Sequence, residues 1–331
     1  MKQTKISVIG DGGWGTTLAI HLCKNGHSVS LWGAFPEYIK KVRKTRKNQK
    51  FLPGVIIPKE IILLESLKEA LDYSDLIVIA VPSEFLRSTL KKIKKNNISQ
   101  KTFLSVVKGV DTSSLKRMSE LIHEELGPVK FAVLSGPTIA IEVAKGIPST
   151  AVIASHNAQL AKKLQRIFNS PTFRIYTNSD IIGVELGGSI KNIIAIACGV
   201  CDGLGLGTNT KAAILSRGLA EMSRLGKALG AKAKTFSGLS GLGDLTTTCF
   251  SPKSRNRFVG EQLGKGKTLK KITSSMAMVA EGVPTTKGVY RLSKKCNISM
   301  PITTEVFNIL YKNKKASIAV KDLMNRKMKS E

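Results

Sequence analysis

The chain has 331 residues, 42% of them apolar, which is enough for two domains with filled cores and excludes a disordered chain. Its 52 lysines and arginines outnumber 23 aspartates and glutamates, and the net charge of +29 would attract nucleic acid, an anionic membrane or an acidic substrate. Neither a run of 18 uncharged apolar residues nor a charged-then-apolar leader is found, so we expect a cytoplasmic protein without a membrane span.

The first predicted element is a short apolar strand that ends in a glycine-rich turn and continues as a helix. The turn has the pattern Gly10-x-Gly12-x-x-Gly15, and strand, turn and helix in this order are typical of dinucleotide binding. Gly10 permits the tight turn, Gly12 lets the backbone approach the pyrophosphate, and Gly15 lets the helix pack on the strand. The start of the helix faces the negative charge of the phosphates. The alternative is an ordinary glycine-rich turn.

The second predicted strand, 28–32, bears on which dinucleotide is bound. An acidic residue at the end of this strand usually binds the ribose 2′-hydroxyl of NAD. Here Gly33 and Ala34 follow the strand, the first acid is Glu37, and several basic residues come after it. Since no acid would repel a 2′-phosphate, the sequence admits NADP and favours it over NAD.

Strand-like and helix-like segments alternate through the rest of the first half, with short glycine or proline turns between them. This alternation predicts a mainly parallel, doubly wound sheet, which binds ligands at the carboxyl ends of its strands. The further predicted strands are 76–81, 102–107, 131–134, 151–154 and 173–176, and the predicted helices include 83–94 and 113–126.

From residue 179 onward helical patterns replace the strands. The predicted helices are 181–201, 210–229, 254–263, 285–295 and 302–311. We therefore expect an α/β fold in which an N-terminal Rossmann-like, doubly wound sheet, residues 1–179, binds the dinucleotide. An all-helical C-terminal domain, residues 180–331, would bind the substrate.

The five cysteines and four histidines form no recognisable ligand set. Cys198-x-x-Cys201 has the spacing of half a metal or redox site, but it lies in an apolar helical run without a second pair. We expect these thiols to pack in the core as small hydrophobic groups, and we expect no metal.

Three segments of the second half combine glycine with charged or polar side chains. Lys191 follows Gly187 and Gly188 at helical spacing, so its ammonium would project over a bare strip with room for a small ligand. The alternative for these glycines is close packing of two helices. Asp244 is the only acid of the glycine-rich segment 238–246, and it either pairs with Lys191 or forms an ordinary turn.

The third segment, Ser254-Arg255-Asn256, lies at the predicted start of a helix. Free backbone N–H groups beside a guanidinium form a good site for a phosphate or a carboxylate. The alternative is an ordinary helix cap followed by surface arginines.

With these segments the sequence closely resembles the bacterial-type NAD(P)-dependent glycerol-3-phosphate dehydrogenases over essentially its whole length. The resemblance implies reversible hydride transfer between a nicotinamide ring, of NADP or NAD, and C2 of dihydroxyacetone phosphate. The product, sn-glycerol 3-phosphate, is the backbone of membrane phospholipids. It also implies a homodimer, the commonest symmetric assembly. The matching blocks are 10–19, 108–109, 135–140, 183–196, 202–207, 217–226, 241–246, 254–257, 281–282 and 300–302.

The resemblance also implies roles for single residues. Lys191 matches the acid/base at the reacting oxygen, and Asp244 lies near it in the substrate site. The further matches to substrate contacts are Lys108, Gly136, Thr138, Ser254, Arg255 and Asn256. The cofactor contacts implied by the glycine motif and the resemblance together are Gly10, Gly12, Gly13, Trp14, Gly15, Ala34, Lys108, Ala140, Arg255, Val279 and Glu281.

Two positions depart from the family pattern. Gly13 stands where a small polar residue is common, which is a mild change. Ala34 stands where a histidine or arginine often contacts the 2′-phosphate, which puts that contact in doubt.

Two other functions stay open on the sequence. A related dehydrogenase with a Rossmann-like domain followed by helices would act on a 3-hydroxy acid or a sugar acid, whose anionic group the segment 254–256 would also suit. A nucleic-acid-binding protein that had kept a Rossmann core would account for the charge. Because the basic residues follow no recognition motif, we expect no specific nucleic-acid partner.

Overall fold

The computed structural model describes residues 3–276, 278–328 and 330. They divide into two compact units. The first unit runs to Lys108 and resumes from Lys116 to Val184, and the second contains Gly109–Leu115 and the chain from Glu185 onward. The short segment belongs to the second unit because the Gly109 N–H donates to Ser189 Oγ at 2.8 Å.

An eight-stranded sheet forms the centre of the first unit. Its strands are β1 (Lys5–Ile9), β2 (Ser28–Trp32), β3 (Ile62–Leu64), β4 (Leu76–Ile79), β5 (Thr102–Ser105), β6 (Lys130–Ser135), β7 (Ser149–Ala154) and β8 (Phe173–Asn178). They lie in the order β3-β2-β1-β4-β5-β6-β7-β8. All neighbours are parallel except β6 and β7, which are antiparallel. The mainly parallel sheet predicted from the sequence is confirmed.

The strand order reverses direction at β1, which lies between β2 and β4. Such a reversal opens a crevice at the carboxyl ends of the two strands, where ligands bind in open α/β sheets. The glycine turn follows β1 and therefore lies at this position.

Among the described residues, seven helices connect the strands of the first unit. They are α1 (Gly13–Lys24), α2 (Pro36–Thr45), α3 (Leu67–Tyr73), α4 (Ser83–Lys94), α5 (Met118–Leu126), α6 (Ala140–Ala144) and α7 (Ala158–Phe168). Local sequence sets several of their starts. The Ser66 hydroxyl caps α3 by accepting from the Glu69 N–H, and the Asn157 side chain caps α7 in the same way from Leu160.

Helices make up the second unit, as predicted. They are α8 (Ile181–Gly203), which begins in the first unit, α9 (Thr208–Ala228), α10 (Ala233–Phe236), α11 (Asp244–Phe250), α12 (Arg255–Gly264), α13 (Leu269–Ser274), α14 (Gly282–Lys295), α15 (Pro301–Tyr311) and α16 (Ala316–Met324). A π-helical turn, Leu239–Gly243, precedes α11. By length and composition alone α8 would cross a membrane, but 94% of its most apolar window is buried inside the protein. It is therefore the core helix of this unit.

Candidate functional site

The glycine turn between β1 and α1 is built for close backbone contact. Gly10 has φ +121°, and a Cβ there would lie 2.7 Å from the carbonyl group of Ala80, directly after β4. A Cβ at Gly15 would collide with the carbonyl oxygen of Gly10. Glycine is therefore required at both positions.

The N-terminal end of α1 borders open space. No described atom lies within 4 Å of the Cβ position of Gly12, which is the N-cap of α1. The first-turn N–H groups that follow have no partner within the helix, so they are available to an anion. Open space beside the backbone at the positive end of a helix fits a diphosphate.

Packing determines the two positions that follow in the motif. A Cβ at Gly13 would lie 2.5 Å from the carbonyl oxygen of Phe51, so even a small polar side chain is excluded there. The Trp14 ring is partly buried and meets the Phe173 ring edge-on, with 6.4 Å between the ring centroids. The departure from the family pattern at Gly13 therefore follows from a close backbone contact.

The end of β2 carries two contrasting residues. Ala34 is exposed and offers only a methyl group. The preceding residue, Gly33, is pressed against the side chain of Asp11 in the glycine turn, and a Cβ at Gly33 would lie 2.6 Å from Asp11 Oδ2. Asp11 was not among the site residues predicted from the sequence, although an acid within the glycine motif was a visible signal.

The remaining predicted contacts of the first unit follow β5 and β6. Lys108 is half-buried, three residues after β5. Gly136, after β6, has φ +150° and would bring a Cβ within 2.9 Å of Ala151 Cα. Thr138 Oγ1 donates to the Gly136 carbonyl at 3.2 Å. Ala140 begins α6, and its carbonyl accepts from Thr17 Oγ1 of α1 at 3.1 Å.

In the second unit, a buried lysine lies at the centre of a set of polar contacts. Lys191 of α8 is only 7% exposed, and its Nζ donates to the Asp244 carboxylate and to Thr248 Oγ1, the latter at 2.6 Å. Thr248 Oγ1 in turn donates to the Asp244 carbonyl at 2.7 Å. Asp244 and Thr248 share one face of α11 because they are four residues apart. Asp244 was predicted either to pair with Lys191 or to form an ordinary turn, and the structure shows the pair with Lys191.

Close packing explains the glycine one turn before Lys191. A Cβ at Gly187 would collide with the carbonyl oxygen of Ser240 in the π-helical turn. Gly187 therefore serves the close packing of two elements, which was the alternative to a bare strip with room for a ligand. This contact brings the turn, and Asp244 directly after it, against α8.

A chain of amide hydrogen bonds links α8, α12 and α14. Asn256 Nδ2 donates to Asn192 Oδ1 at 2.9 Å, and the Gly282 N–H donates to Asn256 Oδ1 at 2.8 Å. Both asparagines are buried. Because Asn192 follows Lys191 directly, these bonds hold the N-terminal end of α12 beside the lysine.

The other predicted residues of this unit surround the start of α12. Ser254 is its N-cap and accepts from the Arg257 N–H at 3.2 Å. Arg255 is exposed, and its Nη1 donates to the Val279 carbonyl at 2.5 Å. The Glu281 carboxylate is close enough to act on Arg255 electrostatically. The predicted substrate and cofactor contacts of the second unit thus lie around the start of α12, which the Asn192–Asn256 hydrogen bond joins to the turn of α8 that carries Lys191.

Two residues around Lys191, Asn192 and Thr248, were not predicted from the sequence. Asn192 was visible beside Lys191, and a polar neighbour within an apolar helix was its signal. Thr248 becomes a neighbour of Lys191 only because α11 is helical, which its run of three threonines did not suggest.

Among the residues described, no group of three or more histidine, cysteine, aspartate or glutamate side chains could hold a metal ion. Cys198 and Cys201 are buried in α8, and burial raises the pKa of the Cys201 thiol to about 12. The Cys201 thiol therefore stays protonated, and both cysteines pack in the core.

Two family models match the chain. The model described as the NAD-dependent glycerol-3-phosphate dehydrogenase N-terminus matches residues 5–161, and the model for the C-terminus of the same enzyme matches residues 180–321. The chain belongs to the NAD-dependent glycerol-3-phosphate dehydrogenase family. As a member of this family it is an oxidoreductase that uses NAD or NADP.

Similar proteins cover the whole chain. The glycerol-3-phosphate dehydrogenase [NAD(P)+] of Chlorobium phaeobacteroides (strain BS1) is 48% identical over 330 residues, which are 99% of each chain. The enzyme of the same name from Fusobacterium nucleatum subsp. nucleatum is 46% identical over 331 residues, again 99% of each chain. The crystal structure of glycerol-3-phosphate dehydrogenase from Coxiella burnetii has a TM-score of 0.95 at 37% identity, and the match covers 98% of this chain and 99% of that one.

Proposed function

We propose that the enzyme reduces dihydroxyacetone phosphate at C2 to sn-glycerol 3-phosphate, reversibly, with NADPH or NADH. The observation that carries this proposal is the buried Lys191, bonded to Asp244 and Thr248 and tied through Asn192 and Asn256 to the start of α12. A phosphorylated ketone needs a proton donor and an anion-binding group, and the second unit contains both.

Lys191 is the proposed general acid/base. Reduction of a ketone places negative charge on its oxygen, which must be stabilised and then protonated. The Lys191 ammonium carries a positive charge and transferable protons, and its burial excludes most of the competing water. The Asp244 carboxylate and the Thr248 hydroxyl both accept from Nζ and so orient it. When bound, the nicotinamide ring supplies the hydride.

The start of α12 is the proposed binding site of the substrate phosphate. Its first-turn N–H groups and the exposed Arg255 guanidinium suit an anion, and α12 is long enough, at ten residues, for its dipole to contribute. Asn256 is engaged by Asn192 and Gly282 and keeps the helix start in position. Ser254 caps the helix. Lys108, Gly136 and Thr138 stay predicted substrate contacts.

The glycine turn is the proposed dinucleotide site. The open backbone at Gly12, the tight packing at Gly10 and Gly15 and the start of α1 support this assignment. Residues 1–179 form the proposed cofactor domain and residues 180–331 the proposed substrate domain. The other predicted cofactor contacts, Gly13, Trp14, Ala34, Lys108, Ala140, Arg255, Val279 and Glu281, belong to the same proposal.

The cellular role and the assembly of the enzyme belong to the same proposal. Its product would supply phospholipid synthesis, and the enzyme would be a cytoplasmic homodimer, as the sequence and the family resemblance lead us to expect.

The test is the absorbance of reduced nicotinamide with purified protein. NADPH or NADH is mixed with dihydroxyacetone phosphate, with unphosphorylated dihydroxyacetone, or with a set of 3-oxo acids and oxidised sugar acids. We expect absorbance to fall only with the phosphorylated ketone. A fall with an oxo acid or a sugar acid, and none with dihydroxyacetone phosphate, would reject the proposal in favour of the related dehydrogenases.

A further inference from the structure

A carboxyl group lies at the carboxyl end of β2, although the strand itself ends without an acid. The parallel pairing of β1 and β2 places Ile9 beside Trp32, and the Gly10 N–H continues it by donating to the Trp32 carbonyl at 2.9 Å. Asp11 therefore lies next to Gly33. A Cβ at Gly33 would lie 2.6 Å from both Cγ and Oδ2 of Asp11, so the carboxyl group rests against the backbone that follows β2.

Several contacts hold Asp11 in this place. Its backbone carbonyl accepts from Asn48 Nδ2 at 2.7 Å and from Thr16 Oγ1 at 3.1 Å. The residue as a whole is 8% exposed. Its Oδ2 is buried and has no hydrogen-bond partner within the part of the chain that the structure describes. Since buried polar atoms nearly always have a partner, this oxygen indicates a donor that the protein itself does not provide.

Burial is the main influence on the Asp11 carboxyl group and raises its pKa to about 6, against smaller lowering effects of a backbone hydrogen bond at Asp11 and of the Lys50 charge. Since this pKa lies below 7, the ionised form predominates at neutral pH. The other titratable group facing it is Tyr38 of α2, whose hydroxyl donates to Asn48 Oδ1 at 2.7 Å. A carboxylate with an unused acceptor thus lies where dinucleotide-binding sheets usually present one at the end of β2.

We propose that Asp11 replaces the acidic residue that is missing after β2 and makes the enzyme prefer NADH to NADPH. Its carboxylate accepts a hydrogen bond from the 2′-hydroxyl of the adenosine ribose and repels a 2′-phosphate. Ala34 supplies no cation to offset this repulsion. The proposal rests on the assignment of the dinucleotide to the glycine turn, and it reverses the preference for NADP inferred from the sequence.

Equilibrium binding tests this without relying on turnover. Dissociation constants of NADH and NADPH are measured by calorimetry at pH 7.5 and constant ionic strength for the wild type, Asp11→Asn and Asp75→Asn. The last variant is the matched control, because Asp75 is exposed and directly precedes β4, at the amino ends of the parallel strands and so away from the glycine turn at their carboxyl ends. Asp11→Ala is the second variant if Asp11→Asn does not fold, since it removes the buried charge without adding a polar group.

We expect the wild type to bind NADH about tenfold more tightly than NADPH or better, the order of magnitude that a nearby like charge costs inside a protein. Asp11→Asn should reduce this ratio about tenfold, chiefly by tightening NADPH, and Asp75→Asn should leave it unchanged. Equal binding of the two dinucleotides to the wild type, or an unchanged ratio in both Asp11 variants, overturns the proposal. If the wild type binds neither dinucleotide, the proposed function fails as well, which distinguishes the two failures.

Discussion

A single lysine carries most of the chemistry proposed for the second unit. Burying a charged group is costly unless it is paired and hydrogen-bonded, and Lys191 meets both conditions through Asp244 and Thr248. The Asp244 carboxylate is even more deeply buried, at 1% exposure. An ion pair of this kind gives little net stability compared with apolar residues, so stability alone does not explain it, which is consistent with the catalytic role proposed for Lys191.

Replacing Lys191 should therefore abolish most of the turnover and leave dinucleotide binding in place. We expect Lys191→Ala to lower kcat by about 100-fold or more, the scale of lost acid–base catalysis. The measurements are steady-state rates and the dissociation constant of the dinucleotide, with Lys227→Ala, an exposed lysine of α9, as the control. Turnover within a few-fold of the wild type would rule out Lys191 as the acid/base.

Asp11 should make stability depend on pH in a defined window. Its pKa is raised from 3.8 to about 6, so the folded state holds the proton more tightly than the unfolded state. The stability that this proton contributes is fully present below pH 3.8 and is lost as the pH rises through about 6. The penalty at neutral pH is about 3 kcal/mol, from about 1.4 kcal/mol for each pKa unit.

We accordingly expect Asp11→Asn to be more stable than the wild type at pH 7.5, by up to about 3 kcal/mol, and to show little advantage near pH 4. Urea unfolding without dinucleotide at the two pH values measures the difference. An equal advantage at both values would mean that the charge of Asp11 is not its cause.

Among the helices and strands, the sequence predicted the ones whose apolar residues recur at regular spacing and whose ends are marked by turn residues. The segment 83–94 coincides with α4, and the helix predicted from 181 is α8. β3 was not predicted because it has only three residues. α11 was not predicted because threonine has low helix propensity. α11 forms where Gly187 and Gly241 allow close backbone contacts around the preceding turn. That tertiary packing, and with it the position of Thr248, is not encoded in a local pattern.

The crossing of α8 and α12 depends on glycines on both helices. A Cβ at Gly199 would collide with the Arg257 carbonyl oxygen, and a Cβ at Gly260 with that of Ile196. The two backbones therefore touch without intervening side chains. Since α12 carries Arg255 and Asn256 at its start, this crossing sets where the proposed phosphate site lies.

Gly260→Ala should disturb both the fold and the site. We expect a loss of about 2 kcal/mol or more in the free energy of unfolding, as for an overpacked core position. The KM for dihydroxyacetone phosphate should rise together with this loss. Gly207→Ala is the control, because no described atom lies within 4 Å of its Cβ position. If both variants unfold at the same urea concentration as the wild type, the crossing tolerates a side chain.

At the scale of the whole molecule, the excess of basic residues must affect stability. With 52 basic and 23 acidic side chains, 29 positive charges have no acidic counterpart in the chain. Ion pairs such as those of Asp202 with Lys211 and Arg257 use some of the acids in the second unit. The remaining positive charges repel one another and favour expanded states of the chain.

Added salt should therefore stabilise this protein. Raising sodium chloride from about 0.1 M to about 1 M shortens the screening length from about 10 Å to about 3 Å, which weakens repulsion between distant surface charges. We expect Tm to rise by several degrees at pH 7, and the rise to shrink as the pH approaches the isoelectric point near 10.0. Calorimetric scans at several salt concentrations and pH values measure both effects. A Tm that falls with salt at pH 7 would show that surface ion pairs outweigh the repulsion of the 29 excess charges.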